Sequence, residues 1–487
     1  MGNKSRVWIS AAIDAFLLFI IIFPCLQAVG QNTGSPGKAD ATVDFSKLTG
    51  KIKPLHGVND GPFDYGPQSA PITFYHAEAG FPYTRLHDVN WPNAEAVDIH
   101  AIFPIFDADA DDPKNYCFEK TDDYIAPIIK NKSEIIYRLG ESIEHRSQYF
   151  IHPPMDYAKW AKICVNIIRH YNDGWNNGFH YNIKYWEIWN EPEGKNMWLG
   201  TDQQYFELYE VAAKAIKQYN PSLQVGGPAA TGVKSGLVKP FLAYCRDRSL
   251  PLDFFSWHCY TDKPENIVNY VKSARMLLDE YGFTTTKSFL DEWHYMNVPW
   301  STIFPGNVGN DADLTKYSKV RDAFAEINGP KAAVFAASVL MLLQDTPIDV
   351  ATYYNADYYN PFSMFDIYGI PGKVYYVFKA FNQLAKMGDR VSCISSDTDN
   401  TTVLLAALSE DKKAAAILIS NSSTVQRPCN ISLKSFPDAK EIRADVYRVD
   451  QTHNLDLTER KKISTGYSIL KLDLSPSSVY LVKLTGG

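Results

Sequence analysis

The sequence predicts an α/β protein in which a (β/α)8 TIM barrel is followed by a C-terminal antiparallel β-sandwich domain. From about residue 50 to 386, short apolar runs alternate with amphipathic stretches, the pattern of a parallel α/β fold. After residue 387 the runs are short, β-rich and separated by polar turns, which indicates a sandwich. No glycine-rich phosphate loop follows any predicted strand, which favours a barrel over a doubly wound nucleotide-binding sheet.

Eight strands with helices between them make up the predicted barrel. The predicted strands cover residues 52–58, 83–89, 134–139, 183–189, 223–226, 254–258, 288–291 and 350–354. The helical stretches show apolar residues at three- and four-residue spacing, most clearly at 156–171, 202–218, 266–281 and 331–343. The β-runs of the sandwich lie at 402–408, 414–420, 431–433, 441–448, 468–472 and 478–484.

The N-terminal segment predicts export. Lys4 and Arg6 precede an apolar run over residues 11–26, and small residues follow at 28–30, which is the pattern of a secretory signal peptide. The expected domains are a signal peptide (1–30), a linker with an N-terminal strand (31–49), the catalytic barrel (50–386) and the sandwich (387–487). The protein would then be secreted and extracellular, or periplasmic in a bacterium. An uncleaved N-terminal membrane anchor is the alternative.

Composition and charge exclude several classes of function. The net charge of −7 provides no basic field for a nucleic-acid backbone, so no nucleic-acid partner is expected. The seven cysteines lack metal-ligand spacing. Residues 107–112 space their aspartates like a calcium loop, but Asp112 replaces the required glycine and Phe118 the closing glutamate. We therefore expect no metal and no organic cofactor.

Two glutamates carry the functional prediction. Glu191 follows the fourth predicted strand within an Asn-Glu-Pro tripeptide, and Glu292 ends the seventh. In a barrel, catalytic side chains lie at the C-terminal ends of the strands, so these two carboxyl groups are expected to face one another. A retaining glycosidase needs two carboxyl groups roughly 5–5.5 Å apart, because one protonates the leaving oxygen and the other attacks the anomeric carbon. The sequence therefore predicts a sugar-cleaving enzyme.

The segments that carry these two glutamates, together with two others, resemble clan A of the glycoside hydrolases, and most closely family 39, which holds β-xylosidases and α-L-iduronidases. The resemblance covers roughly residues 50–385 together with the C-terminal sandwich. It is carried by residues 85–88, 185–192, 256–260 and 290–294.

The resemblance implies catalytic roles for four residues. Glu191 would be the general acid/base and Glu292 the nucleophile. Asn190 would bind the sugar hydroxyl next to the anomeric centre, and Arg85 would keep the nucleophile ionised.

Five further residues are candidates for substrate binding. His258 or Tyr260, at the end of the sixth predicted strand, would hydrogen-bond the nucleophile. His56 and His87 would bind sugar hydroxyls, and Trp293 would stack on a sugar face.

Three neighbouring acids are expected to have other roles. Glu187 lies in the middle of a strand and Glu193 lies beyond the proline, so neither is assigned as the acid. Asp291 alternates with Glu292 and is expected to face the other side of its strand, where it caps a helix or pairs with a barrel residue.

The resulting prediction is a secreted retaining glycoside hydrolase that cleaves terminal glycosidic bonds of an oligosaccharide or glycan side chain by double displacement. The resemblance implies β-xylosidase-like or related exo action. Two alternatives stay open: an endo-acting polysaccharide hydrolase of the same clan, and a non-catalytic carbohydrate-binding protein on the same fold. No membrane partner is expected beyond the possible N-terminal anchor.

Overall fold

The computed structural model describes residues 39–65, 70–90, 92–144, 147–303, 314–358, 361–397, 400–436, 440–464 and 468–486. The predicted signal peptide and residues 31–38 of the predicted linker lie outside these residues, so the signal peptide remains a prediction.

Eight parallel strands form a closed barrel, which confirms the predicted fold class. Each strand pairs with the next in chain order, and β9 pairs with β2 to close the ring. All eight predicted strands overlap an observed strand, although the first overlaps only at residues 57–58. The barrel strands are β2 (Gly57–Asn59), β3 (Tyr83–Leu86), β4 (Glu134–Leu139), β5 (Tyr185–Ile188), β6 (Gln224–Ala230), β7 (Phe254–Thr261), β8 (Lys287–Tyr295) and β9 (Val350–Tyr353).

Helices pack around the barrel through apolar stripes, and α4 and α5 begin at side-chain caps. Thr201 and Gln204 form a capping box at the start of α5, and the Asp156 side chain accepts a hydrogen bond from the backbone of Lys159 at the start of α4. Gly174 ends α4 with a left-handed backbone conformation. The helices are α1 (Thr73–Ala79), α2 (Ile99–Ile102), α3 (Glu119–Lys130), α4 (Tyr157–Asp173), α5 (Asp202–Tyr219), α6 (Val238–Asp247), α7 (Pro264–Glu280), α8 (Trp300–Ile303), α9 (Leu314–Ile327), α10 (Pro330–Leu342) and α11 (Lys373–Ala385).

A nine-stranded sheet follows the barrel, and its core is separate from the barrel core. Its strand order is β15-β14-β17-β12-β11-β10-β1-β13-β16, and all neighbours are antiparallel except β1 and β13. The first strand of the chain, β1 (Ala41–Lys51), therefore belongs to this sheet and not to the barrel. The other members are β10 (Asp389–Ser395), β11 (Thr402–Leu408), β12 (Ala414–Asn421), β13 (Arg427–Lys434), β14 (Glu441–Val449), β15 (Asn454–Ser464), β16 (Ile469–Leu474) and β17 (Ser478–Gly486).

Helix α10 packs between the barrel and the sheet, with β8 on one side and β12 and β17 on the other. A hydrogen bond of 2.8 Å between the hydroxyl groups of Ser338 and Ser420 joins it to β12. Burial on both sides explains why this helix is apolar around most of its circumference. The stretch Ser318–Asp345 is long and apolar enough to cross a membrane, and it is largely buried inside the protein.

Close packing around Gly226 of β6 leaves no room for a side chain. A Cβ at this position would overlap the carbonyl oxygen and the ring of Phe254. We expect Gly226→Ala to lower the free energy of unfolding by about 1–3 kcal/mol through overpacking. The matched control is Gly236→Ala, because no atom lies within 4 Å of a Cβ built there. Denaturant unfolding measures both, and equal stability of the two variants would contradict the packing around β6.

Candidate active site

A pocket of about 670 Å³ opens at the C-terminal ends of the barrel strands. Five of the predicted site residues line it, contributed by the ends of β3, β5, β7 and β8. These residues are His87, Asn190, Glu191, Tyr260 and Glu292.

The two predicted catalytic glutamates face one another across this pocket. A carboxylate oxygen of Glu191 and one of Glu292 lie within 4.8 Å of each other, with a ring nitrogen of His258 at the same range. The side chain of Glu191 is 24% exposed, so it reaches the pocket opening, whereas that of Glu292 is 7% exposed and lies deeper. Both can therefore contact one bound molecule from two sides.

The buried guanidinium of Arg85 organises the floor of the pocket. Its Nη1 donates to Glu292 Oε1 at 2.9 Å and to Asn59 Oδ1 at 3.0 Å, and its Nη2 donates to Asn190 Oδ1 at 2.6 Å. Charge-assisted bonds of this kind fix geometry as well as charge. Arg85 therefore holds Glu292 and Asn190 at defined positions, as the resemblance implies.

The surroundings separate the protonation behaviour of the two glutamates. Burial and the charge of Glu193 raise the pKa of Glu191 to about 8, and Arg85 opposes this. Burial and the neighbouring carboxyl group of Glu191 raise the pKa of Glu292, and the adjacent imidazole of His258, the charge of Arg85 and a hydrogen bond from Tyr260 limit this increase. At neutral pH Glu191 is thus protonated, and Glu292 has far more support for its ionised form.

Of His258 and Tyr260, one of which was expected to hydrogen-bond the nucleophile candidate, Tyr260 makes that bond and His258 lies against Glu191. The Tyr260 hydroxyl donates to Glu292 Oε2 at 2.8 Å. His258 Nδ1 lies 2.7 Å from Glu191 Oε1 and 3.4 Å from Glu292 Oε2. Burial lowers the pKa of His258, so its ring is neutral. Tyr260 therefore makes the hydrogen bond to the nucleophile candidate, and His258 positions the acid candidate.

His87 is placed to contact a ligand. It lines the pocket, and its Nε2 lies 3.8 Å from Glu292 Oε1. Burial lowers its pKa well below the ordinary value, so the ring is neutral and can exchange hydrogen bonds with a hydroxyl group.

The structure does not bring His56 or Trp293 to the pocket, contrary to expectation. His56 precedes β2, at the opposite end of the barrel strands, and its buried ring packs against Phe381 of α11. Trp293 points outward from β8 and packs against Tyr353 and Phe378, with no exposed surface. Neither side chain can contact a sugar held between the glutamates.

Three aromatic residues of the pocket were not predicted: Trp300, Tyr354 and Phe362. Trp300, the first residue of the short helix α8 that follows β8, is 47% exposed and packs edge-on against Tyr260 with ring centroids 5.0 Å apart. Tyr354, directly after β9, also lines the pocket. Aromatic residues that closely follow strands β8 and β9 were the available signal in the sequence.

Asp291 also departs from its expected position. The pairing register of β8 with β9 shifts between Leu290 and Trp293, so simple alternation does not hold there. Both Asp291 and Glu187 lie fully buried against Nε of Arg85, with oxygens at 3.2 Å and 2.7 Å. Asp291 therefore pairs with a barrel residue on the same side as Glu292.

These two buried acids differ in charge. Burial and the adjacent Glu187 raise the pKa of Asp291 well above its ordinary value. Burial opposes ionisation of Glu187 too, but Arg85 and hydrogen bonds outweigh it and lower the pKa. Asp291 is accordingly protonated and Glu187 ionised, as expected where two carboxyl groups share one site.

Two clusters of the described residues have metal-ligand spacing. They are Glu191 with His258 and Glu292, and Asp98 with His100 and Glu141. In each, the histidine already lies within hydrogen-bond distance of a carboxylate, at 2.7 Å from Glu191 and 2.6 Å from Glu141. These hydrogen bonds between histidine and carboxylate explain why the residues of both clusters lie close together.

A closed (β/α)8 barrel with two facing carboxyl groups at its C-terminal end is the arrangement of a glycoside hydrolase. The sequence profile of the Glycosyl hydrolases family 39 matches residues 70–432, more than half of the chain. The protein therefore belongs to glycosyl hydrolase family 39, as the sequence predicted.

Individual relatives agree with this assignment. A β-xylosidase from Geobacillus stearothermophilus is 30% identical over 243 residues, which are 42% of this chain and 47% of that protein. A β-xylosidase from Caldicellulosiruptor saccharolyticus is 24% identical over 323 residues, 62% of this chain and 61% of that protein. The chain thus spans about half to three fifths of these curated relatives. The crystal structure of a glucosidase from Croceicoccus marinus shares the fold, with a TM-score of 0.75, 24% identity, and coverage of 92% of this chain and 99% of that one.

The charge states of Asp291 and Glu187 predict that amide substitution destabilises the protein much more at Glu187 than at Asp291. Glu187→Gln removes an ionised partner of buried Arg85 and should lower the free energy of unfolding by about 3–5 kcal/mol. Asp291→Asn replaces a neutral group with a neutral group of the same shape and should lower the free energy of unfolding by less than about 1.5 kcal/mol. Denaturant unfolding at pH 7 compares them. If Asp291→Asn lowers the free energy of unfolding as much as Glu187→Gln does, Asp291 is ionised.

Proposed function

We propose that this protein is a retaining exo-glycosidase in which Glu292 is the nucleophile and Glu191 the general acid/base. The observation that carries the proposal is the separation of the two carboxylates, whose nearest oxygens lie within 4.8 Å across one pocket. Retaining enzymes place the carboxyl groups about 5–5.5 Å apart, whereas inverting enzymes leave about 6.5–9.5 Å for a water molecule. The spacing favours direct attack by a carboxylate.

In the first step, Glu292 attacks the anomeric carbon while the bond to the leaving oxygen breaks. Glu191 donates its proton to that oxygen, and the leaving group departs as a neutral alcohol. The raised pKa of Glu191, about 8, keeps this proton available at neutral pH. Arg85 and Tyr260 hold the two oxygens of Glu292, which orients the carboxylate for attack.

In the second step, the ionised Glu191 takes a proton from water as the water attacks the anomeric carbon, and the bond to Glu292 breaks. Asn190, fixed by Arg85, is the candidate for holding the sugar hydroxyl beside the anomeric centre. Such a contact strengthens in the transition state, because positive charge develops on the ring.

For the substrate, we propose a terminal β-xylosyl residue, because both curated relatives bear the name β-xylosidase. Trp300 and Phe362 wall the pocket on the side of β8 and β9, which supports removal of a terminal sugar. An endo-acting enzyme would release oligomers, so product size separates the two. A non-catalytic sugar-binding protein would not need two facing carboxyl groups with opposed protonation states.

We also propose that the protein is exported through its N-terminal segment. The basic and apolar pattern of residues 1–30 supports this. N-terminal sequencing of protein recovered from the medium or periplasm would locate the cleavage site.

The two glutamates should respond differently to the leaving group. Glu191→Ala should reduce kcat/KM for methyl β-xyloside by about 10²–10⁴-fold, because the departing methoxide needs the proton. The same variant should hydrolyse 2,4-dinitrophenyl β-xyloside with a much smaller loss in kcat/KM, since that leaving group departs without a proton. Glu292→Gln should abolish hydrolysis of both.

The pH profile provides the control for this experiment. For the unsubstituted protein, kcat/KM on methyl β-xyloside should fall as the pH rises through about 8, where Glu191 loses its proton. This decline should be absent when Glu191→Ala acts on the dinitrophenyl substrate. Activity retained by Glu292→Gln, or a basic decline that persists without Glu191, would contradict the assignment.

A further inference from the structure

A second cavity, of about 350 Å³, lies at the same end of the barrel, and we call it the aromatic cavity. Its floor contains the buried indoles of Trp160 and Trp189. Large apolar side chains stand exposed at its rim: Ile105 is 66% exposed, Tyr149 74% and Met155 95%. Exposed apolar residues gathered around a concave, apolar site indicate ligand binding, since isolated ones would be scattered over the surface.

A hydrogen bond joins one lining residue of the aromatic cavity to one lining residue of the catalytic pocket. Trp189 immediately precedes Asn190 and Glu191, and its Nε1 donates to the carbonyl of Met197 at 2.8 Å. Met197 lines the catalytic pocket. The cavity therefore lies against the β5 loop that carries the acid/base.

A second set of bonds joins the rim of the cavity to the same loop. The amide of Phe150 donates to the carboxylate of Glu144 at 3.2 Å, and the amide of Glu144 donates to the carbonyl of Asn196 at 2.9 Å. The position of the aromatic rim is thus tied to the segment that follows Glu191.

We propose that the aromatic cavity receives the leaving group of the substrate, and that this leaving group is apolar, an alkyl or aryl aglycone. The proposal rests on the function proposed above, because the group on the acid/base side of the scissile bond is the one that departs. It adds a substrate specificity to that function: the protein cleaves glycosides of hydrophobic alcohols.

The lining of the cavity favours an apolar aglycone over a second sugar. A sugar ring needs several hydrogen-bonding partners for its hydroxyls. The most deeply placed polar groups of the cavity, His100 and Glu141, lie 2.6 Å apart and are committed to each other. Burial opposes the charge of His100, but its hydrogen bond to Glu141 outweighs burial and raises its pKa to about 9. His100 also stacks on Phe150, which leaves a largely apolar surface for the ligand.

Alkyl β-xylosides of increasing chain length test the proposal, because their leaving groups have nearly equal basicity and the chemical step stays constant. We expect kcat/KM to rise from methyl to octyl β-xyloside, by up to about fourfold for each methylene buried, until the cavity is filled. Xylobiose should be a poorer substrate than octyl β-xyloside. Equal kcat/KM along the alkyl series, or a preference for xylobiose, would overturn the proposal.

Substitutions at the rim of the aromatic cavity test whether the alkyl chain binds there. Met155→Ser and Tyr149→Ser should each lower the ratio of kcat/KM for octyl over methyl β-xyloside by at least about fourfold, the value of one buried methylene. The matched control is Met276→Ser, at an exposed methionine of α7, which should leave the ratio unchanged. A ratio unaffected by both rim variants would place the alkyl chain elsewhere.

Binding of a free aglycone separates failure of this inference from failure of the proposed function. Isothermal titration of the full-length protein with 4-phenylphenol needs no turnover, and the Met155→Ser and Tyr149→Ser variants should bind it more weakly. If no xyloside is hydrolysed but this binding is observed, the catalytic proposal fails and the cavity assignment stands. If xylosides are hydrolysed but 4-phenylphenol binding is absent or unchanged in both variants, the cavity assignment fails.

Discussion

The arrangement of charge at the functional end of the barrel depends on the guanidinium of Arg85. It contacts carboxyl groups from two strands, those of Glu187 on β5 and of Asp291 and Glu292 on β8. One buried positive charge cannot support three ionised carboxylates in a site of low dielectric, so one of them holds a proton. Asp291 takes this role, and Arg85 favours the ionised form of Glu292. No hydrogen bond between Arg85 and Glu191 occurs among the described residues, and Glu191 keeps its proton. Burial and the charge of Glu193, against the influence of Arg85, keep the proton on Glu191.

The backbone after β5 places three consecutive side chains in three different environments. Trp189 and Glu191 both have positive φ values, 71° and 43°, which are uncommon for residues other than glycine. Trp189 is thereby buried next to the aromatic cavity, Asn190 reaches Arg85, and Glu191 faces the catalytic pocket. Such conformations cost energy and persist only where the surrounding structure holds them. Here the hydrogen bonds of Trp189 to Met197 and of Asn190 to Arg85 supply that support.

Local sequence patterns predicted the barrel and the residues at the ends of its strands, because strand and helix periodicity and the Asn-Glu-Pro tripeptide are visible in the sequence. Properties that depend on contacts between distant segments could not be predicted in this way. Strand β1 joins the C-terminal sheet through pairs with β10 and β13, more than 300 residues later. Asp291 lies beside Glu292 because of a shift in strand register, and Trp293 faces the helices for the same geometric reason. The aromatic cavity combines the segments that follow β3, β4 and β5, which give no common signal in the sequence.

The central claim is that Glu292 bonds covalently to the sugar while Glu191 serves as acid and base. Incubation with 2,4-dinitrophenyl 2-deoxy-2-fluoro-β-xyloside tests it most directly, because the fluorine slows both steps while the good leaving group lets the first proceed, so the intermediate accumulates. Mass spectrometry of the intact protein should show the addition of one fluoroxylosyl group, and peptide analysis should place it on Glu292. A label on Glu191 would contradict the account, as would hydrolysis of the reagent with no labelled protein at any time.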